Sequence, residues 1–444
     1  MDKRRRIDRS MALYARAKEH IPGAAQLISR RPTRAALGVS PIYAQRSKGC
    51  RIWDIDGNEY IDWHSGVGPI VLGYCDDEVD AAVCEQIRRG TVTSILDETQ
   101  VLLAEELVRL IPSAEMVRFC KGGGEACAIA VRIARGFTGR DRVLFCGYHG
   151  WHDWYLAANL GGEHLANHLF NGIEAIGVPA ALEGTAAPFP YGDLDALERL
   201  LALGGDEVAC IIMEPMRSEE PPAGYLEGVR ALADQYGVVL IFDEVSSGFR
   251  IALGGVQEYA GVTPDLSVFA KAISNGYPLG AIVGKKTYMS GVEQMFISSA
   301  YWDDTIGARA ALVTLRALQE RGCIPHFHRV GTLFRERINE EAERVGLRAA
   351  CAGSAAHPHI RFEVERPEDL KKVQTLFVQE NARRGVLLST GLFLNGSHDE
   401  EAVDITGRAV GETFSVIAQA LAAGCLDEAL VSPVQDESFR RQVV

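Results

Sequence analysis

Between about residue 100 and residue 285 the chain alternates two patterns. Short, almost wholly apolar runs cover Val117–Cys120, Arg142–Cys146, Val208–Met213, Val238–Val245, Leu266–Ala270 and Ala281–Lys285. Runs of this length and composition suit strands buried on both faces. Amphipathic stretches at helical spacing lie between many of them, including Leu102–Leu110, Gly124–Gly136 and Glu227–Tyr236. Repeated strand–helix alternation predicts an α/β fold with a mainly parallel sheet covered by helices. In such sheets ligands gather beyond the carboxyl ends of the strands.

The pattern changes on either side of this stretch. The first 60 or so residues predict a helix, a turn at Ile21-Pro22-Gly23, and short alternating strands around a hairpin signal at Asp56-Gly57. Beyond Leu318, "VGTLFRERINEEAERVGL" predicts an amphipathic helix and "HPHIRFEV" a strand. A second long helix is expected to end at Gly424. The expected organisation is an N-terminal segment over 1–60 packing with the small domain, a large α/β domain over 61–318, and a smaller α+β domain over 319–444.

Composition narrows the class. Lys and Arg number 46 against 59 Asp and Glu, a formal net charge of −13. That balance argues against nucleic acid as a partner. The ten cysteines are scattered with no CxxC pair, and several sit inside apolar patterns, which fits a reducing, cytoplasmic setting. The start of the chain has charges but no apolar core of a signal peptide, and no apolar run has the length of a membrane span. The basic cluster Lys3 to Arg6 is expected to be a solvated helix start.

Four features carry candidate chemistry. Lys121 precedes Gly122, Gly123 and Gly124, which lead from a strand into a helix. Glycine backbone N–H groups at a helix N-terminus form a cup for phosphate, although three glycines also suit a tight turn. No Lys-Ser or Lys-Thr pair follows, so a nucleotide P-loop is disfavoured. Asp243 stands at the end of an apolar strand, either as a structural cap or ion pair or as the partner of a protonated ring nitrogen. Lys271 follows another buried run, either snorkelling from the strand end or serving as a desolvated Schiff-base nucleophile. Tyr148 and His149 follow a third strand and place aromatic rings at the same edge. His149 and His152 have a spacing that could suggest a metal, but no cysteine or carboxylate supports them locally, and no metal is expected. His164 and His168 are expected on the surface. A phosphate cup, a buried carboxylate, a buried lysine and a stacking aromatic together meet the needs of pyridoxal 5′-phosphate.

The stretches "RAKEHIPG", "IWDIDGNEYIDW", "PSAEMVRFCKGGGEA", "GYHGWHD", "IIMEP", "FDEVSSGFR", "GVTPDLSVFAKAI" and "GYPLGAIVG", in this order, resemble class-III pyridoxal-phosphate aminotransferases, in the branch that contains glutamate-1-semialdehyde 2,1-aminomutase. The resemblance implies the fold type I architecture of pyridoxal-phosphate transferases, with a seven-stranded type of sheet, and a homodimer with sites at the subunit interface. It implies Lys271 as the Schiff-base lysine, Asp243 on the pyridine nitrogen, and Tyr148 and Val245 on the two ring faces. It also implies Arg30 for a substrate carboxylate, with Arg31 as a near competitor. His149 joins the cofactor-binding set.

The chain departs from its relatives at several points. Relatives carry Asn-Ser-Gly-Thr where this chain has Lys121, Gly122, Gly123 and Gly124, so hydroxyl donors to the phosphate are missing. Ala270 replaces a usual glycine before the lysine. Ala300 stands where relatives lend a threonine to the neighbouring subunit's phosphate, leaving Ser299 or Ser298 as substitutes. At about 0.5–1.5 kcal/mol per lost hydroxyl bond, the phosphate is expected to be held more weakly. The aminomutase's Ser-Trp-Gly-Pro is here Gly66, Val67, Gly68 and Pro69, and its Gly-Gly-Gly after the lysine is Ser274, Asn275 and Gly276. The smaller Val67 implies a different or larger substrate. The expected activity is transfer of an amino group between a small-molecule amino donor and a keto or aldehyde acceptor through a Lys271 Schiff base. An aminomutase or racemase on the same cofactor is the alternative.

Overall fold

The computed structural model describes residues 5–166, 168, 172–216 and 219–435. Of the N-terminal basic cluster, Lys3 and Arg4 lie outside them. Arg5 is not simply solvated: its guanidinium lies 4.8 Å from the centre of the Tyr60 ring. Within the described residues the chain forms two compact units, one running to Asp76 and resuming at Pro325, the other Asp77–Ile324.

Unit 77–324 is built on a seven-stranded sheet. Its order is Met116–Cys120, Gly280–Gly284, Leu266–Phe269, Val239–Asp243, Val208–Met213, Arg142–Cys146 and Ala186–Pro188. Only Gly280–Gly284 runs against its neighbours; it pairs antiparallel on both sides, and the other ladders are parallel. The sheet is therefore mainly parallel, as the apolar runs predict. Val208–Met213 and Val239–Asp243 are buried along their whole length, which is why their sequence is continuous hydrophobe and not alternation. Helix Gly123–Thr138 lays Ala126, Ile129, Ala130, Ile133 and Ala134 on the sheet and ends at Gly139, whose φ of 68° gives the left-handed cap.

The other unit holds a four-stranded sheet, Ala44–Lys48, Arg51–Asp54, Glu59–Asp62 and Val386–Leu387. Gly57 turns the expected hairpin with φ 90°. A second ladder pairs Ala349–Ala352 with His359–Phe362. The long helix Glu400–Ala423 stops at Gly424, φ 64°, as its sequence implies. Trp63 is fully buried at the centre of this unit. Its indole donates to Thr406 Oγ1 at 2.8 Å and stacks on His398 at 4.1 Å. Among the described residues no helix is long and apolar enough to cross a membrane.

Candidate active site

Five parallel strands of the large sheet deliver the residues singled out above. Each exits at its carboxyl end. Met116–Cys120 leads to the glycine loop, Arg142–Cys146 to Tyr148 and His149, and Val208–Met213 to Glu214. Val239–Asp243 carries Asp243 itself and then Val245, and Leu266–Phe269 leads to Lys271. Four of these strands pair in parallel, and Met116–Cys120 runs the same way because Gly280–Gly284 lies antiparallel between it and Leu266–Phe269, so all the exits share one edge of the sheet.

Gly122 is the N-cap of helix Gly123–Thr138, whose first intrahelical bond is Ala126 N–H to Gly122 O. The N–H groups of Gly123 and Gly124 are left without an intrahelical acceptor and carry the positive end of the helix. The glycines are set by close approach. A Cβ on Gly123 would lie 2.8 Å from Val245 Cγ1, and one on Gly124 would lie 3.1 Å from Gly150 Cα. A side chain at position 124 would have to push the Gly150 backbone aside by a few tenths of an ångström. Lys121 turns away: its ammonium pairs with Asp304 at 2.8 Å, and its backbone N–H donates to Glu125 Oε2.

Asp243 is buried and accepts three hydrogen bonds, which leaves part of its acceptor capacity free. Oδ1 accepts the Val245 N–H at 3.0 Å. Oδ2 accepts from His149 Nδ1 at 2.7 Å and from the Cys127 thiol at 3.2 Å. Cys127 sits one helical turn beyond Gly123, so the helix that forms the glycine cup also braces the carboxylate. Burial, then the Asp243 charge, push the Cys127 thiol far above its usual pKa, so it stays protonated and acts as a donor. The ligand atoms of Cys127, His149 and Asp243 lie within 4.8 Å of one another. This overturns the sequence argument that His149 lacks a cysteine or carboxylate beside it; both arrive from distant elements. Within the protein the three side chains are joined by hydrogen bonds to the carboxylate. His149 Nε2 is buried and has no protein partner.

Lys271 adopts φ 48°, a left-handed conformation that L side chains rarely take, directly after the strand. Its pKa is pulled below the usual lysine value by burial, against the opposing pull of Glu214 and Asp243. Its ammonium donates to Ser246 Oγ at 2.7 Å. Tyr148 is partly exposed, meets Tyr155 edge-on at 6.1 Å, and is anchored through its backbone N–H to Glu214 Oε2 at 3.0 Å. Ser246, Cys127 and Glu214 were not singled out as site residues by the sequence reading. Cys127 looks like core and Ser246 like an ordinary turn residue. Glu214 follows an apolar strand just as Asp243 ends one, and that parallel could have found it.

His168 corrects an expectation. It is buried, with Nδ1 accepting the Gly147 N–H at 3.2 Å. Ser298, Ser299 and Ala300 are exposed, and the segment after them is tied down by Trp302 Nε1 donating to Glu125 Oε1 at 3.1 Å. Arg30 and Val67 belong to the other unit. There Arg30 Nη2 donates to Gly66 O at 2.6 Å, beside Val67, which takes φ 72°.

Comparison with known proteins agrees with this architecture. The family model "Aminotransferase class-III" matches residues 34–390. The chain is 36% identical to the 3-aminobutyryl-CoA aminotransferase of Cloacimonas acidaminovorans, over 95% of this chain and 100% of that one. It is 33% identical to the glutamate-1-semialdehyde 2,1-aminomutase of Methanocaldococcus jannaschii, over 92% and 98%. Among solved structures, the FumI protein of Sphingopyxis sp. MTA144, in its PLP internal aldimine form, superposes with a TM-score of 0.84 at 26% identity, covering 96% of this chain and 99% of that one. The chain belongs to the class-III aminotransferases, a family of pyridoxal-phosphate enzymes in which its relatives include both aminotransferases and aminomutases.

Proposed function

We propose that this edge of the sheet binds pyridoxal 5′-phosphate and that the protein moves an amino group from an amino donor to a keto or aldehyde acceptor. The observation that carries the reading is the gathering of the Lys271 amine, the Asp243 carboxylate and the glycine helix start at one end of one sheet. The residues fit the cofactor. Unengaged N–H groups at Gly123 and Gly124 suit its phosphate, in a cradle that side chains at those positions would crowd. Asp243, braced by His149 and Cys127, suits a protonated ring nitrogen. Tyr148 and Val245 are assigned to the ring faces, and Ser299 or Ser298 to the phosphate of a neighbouring subunit.

When bound, the cofactor supplies an electron-withdrawing ring that stabilises negative charge on the substrate carbon. Burial makes the neutral, nucleophilic form of the Lys271 amine easier to reach. Once free, that amine is the group assigned to take and return the substrate's proton. His149 and Cys127 keep Asp243 oriented while it holds charge on the ring. Arg30 is assigned to a substrate carboxylate, and Val67 to the wall of the substrate pocket.

We assign a homodimer in the cytoplasm, with no nucleic acid or membrane partner. Ile95, Leu96, Trp151, Phe296 and Tyr301 are large apolar side chains left exposed on the unit that carries Lys271, and a second copy would cover such surface. The aminomutase reading draws support from the relative at 33% identity; Val67 in place of the aminomutase's tryptophan weighs against it. The test is to mix holoenzyme with single amines in the absence of any acceptor, starting with β-amino compounds because of the 3-aminobutyryl-CoA relative. An aminotransferase converts its cofactor to the amine form and releases one equivalent of keto or aldehyde product. An isomerised amine with no free carbonyl product would favour the aminomutase instead.

A further inference from the structure

Ser246 lies three residues past the end of strand Val239–Asp243, and Lys271 two residues past the end of strand Leu266–Phe269. The two strands are parallel neighbours, with Asp243 paired to Val268, so their exits open side by side. The hydroxyl and the amine meet there at 2.7 Å. Both backbones are fixed. The turn carrying Ser246 is closed by Gly248 N–H to Glu244 O at 2.8 Å and by Val245 N–H to Asp243 Oδ1 at 3.0 Å. Lys271 is held in its left-handed conformation at the start of the short helix Lys271–Ser274. The charged and titratable groups acting on the amine are Glu214, Asp243, Arg250 and Cys127, contributed by other strand exits and by helix Gly123–Thr138.

We propose that Ser246 is a positioning residue that holds the reacting nitrogen of Lys271 at one point in both of its protonation states. A hydroxyl has one donor and two acceptor sites. Its oxygen accepts from the ammonium, as the structure shows, and on deprotonation the O–H can turn to donate to the amine lone pair. Neither an alanine nor a valine can do either. The inference rests on the reading of Lys271 as the cofactor lysine, and it adds a partner for that lysine drawn from a position three residues beyond Asp243.

The test uses the full-length protein stripped of cofactor. Pyridoxal phosphate is added across a pH series, and the rate at which the long-wavelength Schiff-base band appears is recorded. The midpoint of that profile reports ionisation of the Lys271 amine. Ser246→Ala and Ser246→Val remove an acceptor from the ammonium and are expected to lower the midpoint by about half to one pH unit. Ser246→Thr, which has nearly the shape of valine but keeps the hydroxyl, is expected to stay with the wild type. An unmoved midpoint in Ser246→Ala overturns the assignment, as does a threonine variant that falls with valine. A wild type that never gains the band overturns the cofactor reading and Ser246's role with it, an outcome distinct from a normal band with an unmoved midpoint.

Discussion

His149 Nδ1 stands 2.7 Å from Asp243 Oδ2, with the imidazole fully shielded from solvent and the carboxylate nearly so. Hydrogen bonds to charged, buried groups are the stronger ones, about 1.5–3 kcal/mol. His149→Leu, which cannot donate, should therefore lower kcat/KM by about 10- to 100-fold. His149→Asn places an amide near the Nδ1 position and should recover part of the loss. Steady-state kinetics on both variants checks this. Equal losses in the two would mean that the ring's packing matters and its donor does not.

Cys127 gives Asp243 a second, weaker donor at 3.2 Å. Removing a thiol donor should cost less than removing the imidazole, so Cys127→Val is expected to lose under about tenfold in kcat/KM. Burial also holds the thiol protonated and out of reach. In the folded protein, thiol-specific labelling should mark the exposed Cys75 and Cys84 while sparing Cys127. Mass spectrometry of the labelled protein decides it.

Gly150 approaches the glycine loop so closely that a Cβ there would lie 2.6 Å from Gly124 Cα, and its φ of 102° is costly for any side chain. Overpacking together with backbone strain should make Gly150→Ala destabilising by about 2 kcal/mol or more, and should loosen cofactor binding. Gly139→Ala is the contrast. It has the same left-handed class of backbone but open space around the Cβ, so only the backbone cost of about 1–2 kcal/mol remains. Thermal melts of the two variants, with and without pyridoxal phosphate, measure the difference.

The strands were legible because parallel strands buried on both faces are written as unbroken hydrophobe. Arg142–Cys146 and Val208–Met213 match their sequence expectation end to end, and the other four runs agree to within about two residues. Ala186–Pro188 was not expected, since three residues ending in proline at a sheet edge carry no pattern. Asp243 and Lys271 stood out because charges rarely end apolar runs. Ser246 and Cys127 could not stand out in the same way. A serine in a turn and a cysteine in an apolar helix look ordinary until the fold brings residues 25 and 116 positions apart into contact. The burial of His168 was not legible either, since its partner is the backbone of Gly147, 21 residues away.

His398 offers a prediction in pH. It is fully buried, its Nδ1 accepts the Asn395 N–H and its Nε2 faces Asp62 O, and burial pulls its pKa down to about 4. The unfolded chain binds this proton near pH 6.5, so between about pH 6.5 and 4 the unfolded state carries more protons. The stabilisation is complete above that window and declines as pH falls through it, by about 2–3 kcal/mol. Denaturant unfolding from pH 7 to pH 4 should show this slope, and His398→Gln should flatten it even if the variant is less stable throughout.

The central claim is that Lys271 carries the cofactor, and absorbance tests it most directly. Purified wild-type protein supplied with pyridoxal phosphate should show a long-wavelength Schiff-base band that survives gel filtration, and borohydride reduction should fix the cofactor's mass on the peptide containing Lys271. Folded Lys271→Ala should show neither. A wild type that stays colourless, or a Lys271→Ala protein that keeps the band, would contradict the account.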